Sequence, residues 1–231
     1  MKSISILLGL LCSLSLLTAQ NLEEDIANIN AAYDQLRGYQ ASLTYELQSG
    51  NGQPEKADGL IQWSGKEKKY FRMGAQESLQ NERMSILADH DEELVLVQGA
   101  ITTDTRNISQ IPLDSLLEIG AKVVFAKEGN GWHTYHFDLT DMVYQRISFS
   151  FDPVNFMLRE ISYRSNPFVV DEEATEADVE IMRMRYTNLK MNPAFAADTF
   201  SEKRFLRKDG KSYALQAEYT SFQLYNYLAQ P

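Results

Sequence analysis

The sequence predicts a β-dominated α+β chain, in which an antiparallel sheet closes into a barrel or curls around a few helices. Apolar and polar side chains alternate with a period of two residues along most of the chain, and turn signals separate the alternating stretches. One amphipathic helical stripe precedes the first of these strands. Together these patterns indicate one N-terminal helix, roughly ten strands and one or two short inserted helices.

The first 20 residues are typical of a secretory signal peptide. Lys2 provides the positive charge at its start, Ile4 to Leu17 form the apolar stretch, and Thr18-Ala19-Gln20 resemble a small-residue cleavage region. Because the apolar stretch is short and interrupted by serines, it predicts a cleaved signal and not a membrane-spanning helix. We expect the mature chain to be exported to the periplasm.

The mature chain is acidic and lacks cysteine. Removing Lys2 from the 22 basic residues leaves 21 against 32 acidic ones, so the net charge is −11. Such a chain is poorly suited to nucleic acid or anionic membranes, and its charge favours solubility. The single cysteine, Cys12, lies within the signal, and the leucine before it fits a lipoprotein cleavage box poorly. We expect a soluble monomer without disulfides: one domain over residues 21–231, with a C-terminal extension from about residue 201.

An amphipathic helix is predicted directly after the signal peptide. Asn21 can cap its first turn, and the carboxylates of Glu23 and Glu24 lie where the helix dipole favours them. Gly38 follows the last apolar position and favours a helix end there. The apolar stripe comprises Leu22, Ile26, Ile29, Tyr33 and Leu36.

A series of two-faced strands is predicted between Tyr39 and Val97. The first alternates strictly between apolar and polar residues, and glycine, proline and aspartate mark the turns that follow. The last two strands of this half flank the turn at Asp89-His90-Asp91, which predicts that they pair with each other. The predicted strands cover residues 39–48, 60–63, 69–73, 83–88 and 94–97.

The second half begins with a short helix between Pro112 and Gly120, and strand patterns then resume. The acidic stretch 171–178 predicts an exposed loop. Asp209-Gly210 suggests a hairpin, and the aromatic-rich residues 219–228 are compatible with a closing strand or a docked helix. The predicted strands of this half cover residues 123–126, 132–138, 146–151, 156–163 and 181–186.

The sequence contains no motif of a catalytic triad, a nucleotide-binding loop or a metal centre. His133 and His136 are three residues apart on a predicted strand, so their rings should point to opposite faces. His90 lies in a predicted turn between two aspartates, where a solvated side chain is the simplest interpretation. A glycosidase-type pair of carboxylates stays open but has no positive support. We expect a protein that is not an enzyme and that holds no cofactor or metal.

Apolar side chains of the first strands are candidates for one continuous ligand-binding surface. The alternative for each of them separately is an ordinary core position. If the helices cannot cover the whole apolar face of the sheet, the remainder should form a cavity or an interface. The candidate residues are Leu43, Tyr45, Ile61, Trp63, Phe71, Met73, Met84, Ile86, Leu94 and Leu96.

The order of these motifs resembles the LolA family of periplasmic lipoprotein carriers. The likeness spans most of the mature chain and rests on order and spacing, because each motif is weak alone. In the first half the motifs are Gly59–Trp63, Lys69–Arg72, Met84–Asp89 and Glu93–Val97. In the second half they are Ile147–Pro153, Leu158–Ile161 and Tyr186–Pro193 with Phe200.

This resemblance implies an incomplete antiparallel β-barrel in which the helices form a lid over a hydrophobic cavity. It implies a carrier of the acyl chains of lipoproteins or related lipids, with an inner-membrane donor and an outer-membrane acceptor as partners, and it places Phe71 and Met73 in the cavity. The alternative is an envelope interaction protein or lipid sensor on the same scaffold. Ser64-Gly65-Lys66-Glu67 departs from the family's basic-proline pair, so Lys66 is not assigned the role of holding the lid shut.

Overall fold

The computed structural model describes residues 22–50, 52–65, 67–100, 116, 118–171, 173–210 and 212–228. The predicted signal peptide and most of the predicted helix before Gly120 lie outside the described residues, although residues 116 and 118 are helical. The chain divides into two compact units. The first comprises Met1–Gln35, Glu46–Glu55 and Ile108–Arg185, and the second comprises Leu36–Tyr45, Lys56–Asn107 and Tyr186–Pro231.

Fourteen strands form among the described residues, and twelve share one hydrogen-bonded order: β14-β6-β5-β4-β3-β2-β1-β11-β10-β9-β8-β7. This order has two different ends, which agrees with the prediction of a mainly antiparallel sheet that is not closed. The remaining two strands pair with each other. The bounds are Gly38–Ser49 (β1), Glu55–Ser64 (β2), Lys68–Met73 (β3), Gln76–Gln80 (β4), Met84–Asp89 (β5), Leu94–Gly99 (β6), Lys122–Lys127 (β7), His133–Asp138 (β8), Tyr144–Phe151 (β9), Leu158–Ser165 (β10), Glu180–Met191 (β11), Leu206–Asp209 (β12), Ser212–Leu215 (β13) and Gln223–Asn226 (β14).

The predicted N-terminal helix is confirmed over residues 22–34 and belongs to the first unit. Two side-chain hydrogen bonds join it to strands of that unit. The Tyr33 hydroxyl accepts from the backbone N–H of Leu158 at 3.3 Å, and the Tyr135 hydroxyl donates to Asp25 Oδ2 at 2.7 Å. The buried members of the helix's apolar stripe are Leu22, Ile29 and Tyr33.

The second unit contains the antiparallel meander from β2 to β6. The sequence analysis missed β4, because Gln76–Gln80 carries Leu79 as its single large apolar residue. The strand forms because β4 lies between β3 and β5 and pairs with both of them. The predicted pairing of β5 with β6 is confirmed.

The C-terminal segment, residues 200–228, packs on the meander and contains three short strands, β12, β13 and β14. The predicted hairpin at Asp209-Gly210 is confirmed, since β12 pairs with β13 across that turn. The last piece, β14, runs parallel to β6 and ends the strand order. Three side chains of the segment are buried in the core of the unit, namely Phe205, Leu206 and Tyr219.

A buried polar network joins this segment to the turn between β4 and β5. Asn81 Oδ1 accepts from the backbone N–H groups of Arg83 at 2.9 Å and Met84 at 3.1 Å. Its Nδ2 donates to the Phe200 carbonyl and to Glu202 Oε2, each at 3.2 Å. The Arg83 guanidinium also pairs with the Glu202 carboxylate. Because Asn81 and Glu202 are almost fully buried, losing either partner would leave a polar group without compensation.

Substituting Phe205→Ala should destabilise the second unit, because this ring is fully buried against the meander. We expect a loss of about 3–5 kcal/mol in the free energy of unfolding. Thermal unfolding followed by circular dichroism measures the effect. Phe168→Ala is a matched control, since that ring is 43% exposed and should cost less than about 1 kcal/mol. Equal losses in the two variants would contradict the described packing of the C-terminal segment.

Candidate functional site

The meander from β2 to β6 has two faces, and both carry apolar side chains. Directly paired residues of neighbouring strands point to the same side of a sheet, so the register assigns each side chain to a face. We call one side the front face, defined by a row of paired residues that crosses six strands. This front row comprises Ile61, Phe71, Ser78, Leu87, Leu96 and Tyr225.

The opposite side, the back face, is filled by the chain itself. Its residues form one core cluster with the C-terminal segment, and most are fully buried. Met84 and Ile86, two of the predicted ligand-binding residues, belong to this cluster, with exposed fractions of 2% and 0%. The back-face residues are Tyr70, Leu79, Met84, Ile86, Ala88, Val95 and Val97.

The front row changes from buried to accessible along its length. Ile61 on β2 is 3% exposed, Phe71 on β3 is half-buried, and Leu87 on β5 is 37% exposed. Leu96 on β6 is half-buried, and Tyr225 on β14 is 38% exposed. With strands about 4.8 Å apart, a row across six strands is roughly 24 Å long. Apart from Ser78 on β4 the row is apolar, so it forms a partly accessible stripe that is comparable in length to an extended acyl chain.

Tyr225 is a member of the front row that the sequence analysis did not assign. The aromatic character of residues 219–228 was the available signal, but the parallel pairing of β14 with β6 joins segments far apart in the chain. Leu224 packs on the back-face core, and its neighbour Tyr225 pairs with Leu96. The C-terminal strand therefore contributes to both faces.

Two mixed rows flank the front row on the same face. On one side Trp63 pairs with Lys69, and polar residues continue across the next strands. On the other side lie Met73 and Leu94, two further candidates, with Gln76 and Asp89 between them. Gln76 Nε2 donates a hydrogen bond to Asp89 Oδ2 at 2.9 Å, so a polar pair lies in the middle of this row. The apolar stripe is therefore bordered by hydrogen-bonding groups.

The candidates on β1, Leu43 and Tyr45, lie on the front face as well. The rings of Tyr39 and Trp63 are 5.8 Å apart, which places the odd-numbered side chains of this strand on the side of Trp63. Leu43 is 1% exposed and Tyr45 is half-buried. Eight of the ten candidates thus lie on one face, and Met84 and Ile86 lie on the other.

A group of polar side chains at the back face serves packing. The Tyr70 hydroxyl donates to Glu77 Oε2 at 2.5 Å, and His90 Nε2 lies 3.0 Å from Glu77 Oε1. The Arg204 guanidinium lies 4.4 Å from the centre of the Tyr70 ring. Burial, with the neighbouring Glu77, raises the pKa of Tyr70 to about 12, so the hydroxyl remains a donor at neutral pH. These contacts fix Arg204, and with it the C-terminal segment, on the meander.

The two strand histidines diverge as their spacing predicts. The His133 ring packs edge-on against Phe125 at 5.1 Å, whereas His136 Nδ1 lies 2.8 Å from Ser148 Oγ. Burial lowers the pKa of His136, which favours its neutral form. In the described part of the chain no group of three or more histidine, cysteine or acidic side chains is placed to bind a metal ion.

Three cavities are bounded by described residues, and polar and charged residues are frequent in their linings. The largest, about 600 Å³, lies beside the C-terminal segment, and the others measure about 410 and 350 Å³. None of these three contains a predicted ligand-binding residue. The residues lining the largest are Arg83, Glu202, Lys203, Leu206, Arg207, Lys208, Tyr213 and Gln216.

Comparison with known proteins relates the chain to others through structure. No model of a protein family matches, and neither does any curated protein. An uncharacterized conserved protein from Thermus thermophilus is 5% identical, with a TM-score of 0.50 over 89% of this chain and 99% of that one. A LolA superfamily protein from Nitrosomonas europaea is 9% identical, with a TM-score of 0.36 over 76% and 97%. One chain of the MucA/MucB complex from Pseudomonas aeruginosa is 11% identical, with a TM-score of 0.37 over 84% and 62%.

One of these solved structures is of a LolA superfamily protein, and the order of the sequence motifs resembles the LolA family. At these identities the likeness concerns the fold alone. A search of the described helices finds none with the length and apolar character needed to cross a bilayer.

The assignment of faces predicts opposite outcomes for two neighbouring residues of β6. Val97→Asp should cost more than about 3 kcal/mol, because it buries an unpaired carboxylate in the back-face core. Leu96→Asp should cost about 1 kcal/mol, because its side chain lies on the partly accessible front row. Chemical unfolding of both variants measures the difference. The reverse order would show that the faces are wrongly assigned.

Proposed function

We propose that the chain is a periplasmic binding protein that holds the acyl chains of lipoproteins or related lipids against its front face and releases them without covalent chemistry. The observation that carries this proposal is the contrast between the two faces of one meander. The back face is filled by the C-terminal segment, whereas the front row from Phe71 to Tyr225 keeps apolar side chains that are half-buried or exposed.

Acyl chains suit this surface because it is long, narrow and apolar. Each methylene removed from water contributes about 0.8 kcal/mol, so a chain lying along several strands gains substantial binding energy. The polar residues on both flanks favour a ligand one chain wide over a broad apolar partner. The side chains that would contact the acyl chain are Phe71, Leu87, Leu96 and Tyr225, with Met73 and Leu94 beside them.

Transfer toward the outer membrane, from an inner-membrane donor to an acceptor, is part of this proposal. A carrier needs a surface from which its cargo can leave. The rise in exposure from Ile61 to Leu87 supplies an accessible part of the front row at β5. A lipid sensor or envelope interaction protein on the same scaffold would bind the same ligands without passing them on.

A binding experiment with a neutral apolar dye tests the proposal. Delipidated protein should enhance the fluorescence of N-phenylnaphthylamine, and a synthetic diacyl lipopeptide should displace the dye in a saturable manner. Leu87→Asp should weaken lipopeptide binding by about tenfold or more, since it places a charge under the acyl chain. Because Leu87 is 37% exposed, this variant should fold normally.

Val154→Asp is the matched control, since Val154 is 87% exposed in the turn between β9 and β10 and is not part of the front row. It should bind the lipopeptide like the unaltered protein. A delipidated protein that takes up neither dye nor lipopeptide would remove the proposed function. Binding followed by failure to deliver the lipopeptide to acceptor vesicles or membranes would leave the sensor as the function.

A further inference from the structure

The front face contains a buried indole N–H and, beside it, a half-buried ammonium group, and neither has a protein acceptor among the described residues. Trp63 on β2 and Lys69 on β3 are directly paired, so both side chains lie in the row next to Ile61 and Phe71. Trp63 is 3% exposed, and its Nε1 is buried without a hydrogen-bond partner among the described residues. Buried donors are almost always paired, and the part of the chain that the structure describes provides no acceptor for this nitrogen.

Lys69 is a half-buried cation, and among the described residues no carboxylate pairs with it. Its chain neighbour Lys68 shows the contrast: it points to the other side of β3 and pairs with Glu82 at 2.9 Å. Burial lowers the pKa of Lys69, as expected for an ammonium taken from water without a counter-charge. In a chain with a net charge of −10, an unpaired cation beside an unpaired donor is an unusual combination.

The position of this pair relative to the front row indicates which ligand would supply the acceptor. The pair lies two residues along the strands from Ile61 and Phe71, a distance of roughly 7 Å. Gln80, Ser85 and Gln98 continue the same row with polar side chains. An amphiphile whose chain follows the front row can therefore place its head in a neighbouring polar row.

We infer that Trp63 and Lys69 bind an anionic oxygen at the head of the acyl ligand, a carboxylate or a phosphate. This inference rests on the proposed function, because it needs an acyl chain on the front row. A charged hydrogen bond from Lys69 Nζ and a neutral one from Trp63 Nε1 satisfy both donors with one oxyanion. The site would then select fatty acids or lipid phosphates over neutral lipids with the same chain.

Three ligands with the same chain and different heads test the site: palmitate, hexadecyl phosphate and hexadecanol, each displacing N-phenylnaphthylamine. The unaltered protein should bind the two anions about tenfold or more tightly than the alcohol. Lys69→Met should remove that preference and leave hexadecanol binding unchanged. Lys69→Arg should retain it, and Trp63→Phe should lower it while keeping an aromatic ring. The order of the two anions identifies a carboxylate or a phosphate as the natural head.

Failure of this site and failure of the proposed function give different results. Hexadecanol bound as tightly as both anions, or Lys69→Met weakening all three ligands equally, would overturn the head-group site while acyl binding stands. Binding of none of the three would remove both ideas.

A second, independent observation concerns an exposed apolar patch in the first unit. The connection between β8 and β9 lies beside the connection between β10 and β11: the backbone N–H of Asn166 donates to the Val143 carbonyl at 2.7 Å, and Tyr144 pairs with Ser165. Six large apolar side chains of these connections are between 42% and 77% exposed. Exposed apolar clusters of this kind mark interaction sites. We call this set the loop tips: Met142, Val143, Tyr144, Phe168, Val169 and Val170.

The charges around the loop tips indicate the partner. Both nearby arginines are paired within the chain, Arg146 with Asp138 at 2.6 Å and Arg164 with Glu176 at 3.2 Å. The remaining charge of the described residues in the two connections is acidic, from Asp141, Asp171, Glu173 and Asp178. Such a rim repels anionic lipids and complements the outermost ammonium groups of zwitterionic phospholipids.

We propose that the loop tips insert into the surface of a zwitterionic bilayer. The protein should sediment with phosphatidylethanolamine–phosphatidylcholine vesicles, and less with vesicles that contain phosphatidylglycerol. Val143→Asp and Val170→Asp together should lower the bound fraction at least about tenfold, since both side chains would leave the apolar phase. Val154→Asp, on the turn between β9 and β10, should not change it.

Three results would overturn this assignment: an equal loss of vesicle binding in the control variant, binding to anionic vesicles alone, or no binding to any vesicle. The last result would indicate that the loop tips bind a protein partner. Val143 and Val170 belong to the first unit and the front row to the second, so loss of vesicle binding in these variants assigns the binding to the loop tips and not to the front face.

Discussion

The arrangement of the second unit depends on strands that are apolar on both sides. A strand whose two faces alternate between water and core needs one covering layer, but β5 and β6 present large apolar side chains in both directions. One side is covered by the C-terminal segment through buried aromatic and aliphatic contacts and the Asn81–Glu202 network. The other side is left with a partly accessible stripe, and the candidate site follows from that difference.

Under the proposed function, the back face of the meander serves stability and the front face serves ligand binding. Residues that close the back face are fully buried and joined by hydrogen bonds, so substitutions there act on folding. The front row from Phe71 to Tyr225 is half-buried or exposed and is bordered by polar rows, so under the proposed function substitutions there change ligand binding while the fold remains. The Trp63–Lys69 pair lies beside this row, with Trp63 buried and Lys69 half-buried, and it gives the stripe a distinct polar side.

Local sequence patterns predicted most of the helices and strands. The features that these patterns missed depend on pairing between strands. The helix over 22–34 and the strands around Leu43, Ile61 and Phe71 follow from periodicity, which each segment carries by itself. The strand Gln76–Gln80 was missed because its sequence has almost no apolar signal, and it forms because neighbours on both sides pair with it. Met84 and Ile86 were grouped with the front residues because alternation shows that a strand has two faces. It does not show which of these faces continues the front face of the next strand. That choice depends on the register across the Asn81 turn, which the sequence pattern does not encode.

The parallel pairing of β14 with β6 has a consequence for biogenesis. The residues that complete the edge and cover the back face of the meander are synthesised after the meander itself, and they cross the membrane after it if the chain is exported. Until they arrive, Ile86, Val95 and Val97 have no cover, and the edge of β6 is open to other chains. The nascent protein therefore forms an aggregation-prone intermediate that persists until the C-terminal segment packs on the meander. Termination of the chain near residue 200 would yield a product that keeps this exposed apolar surface.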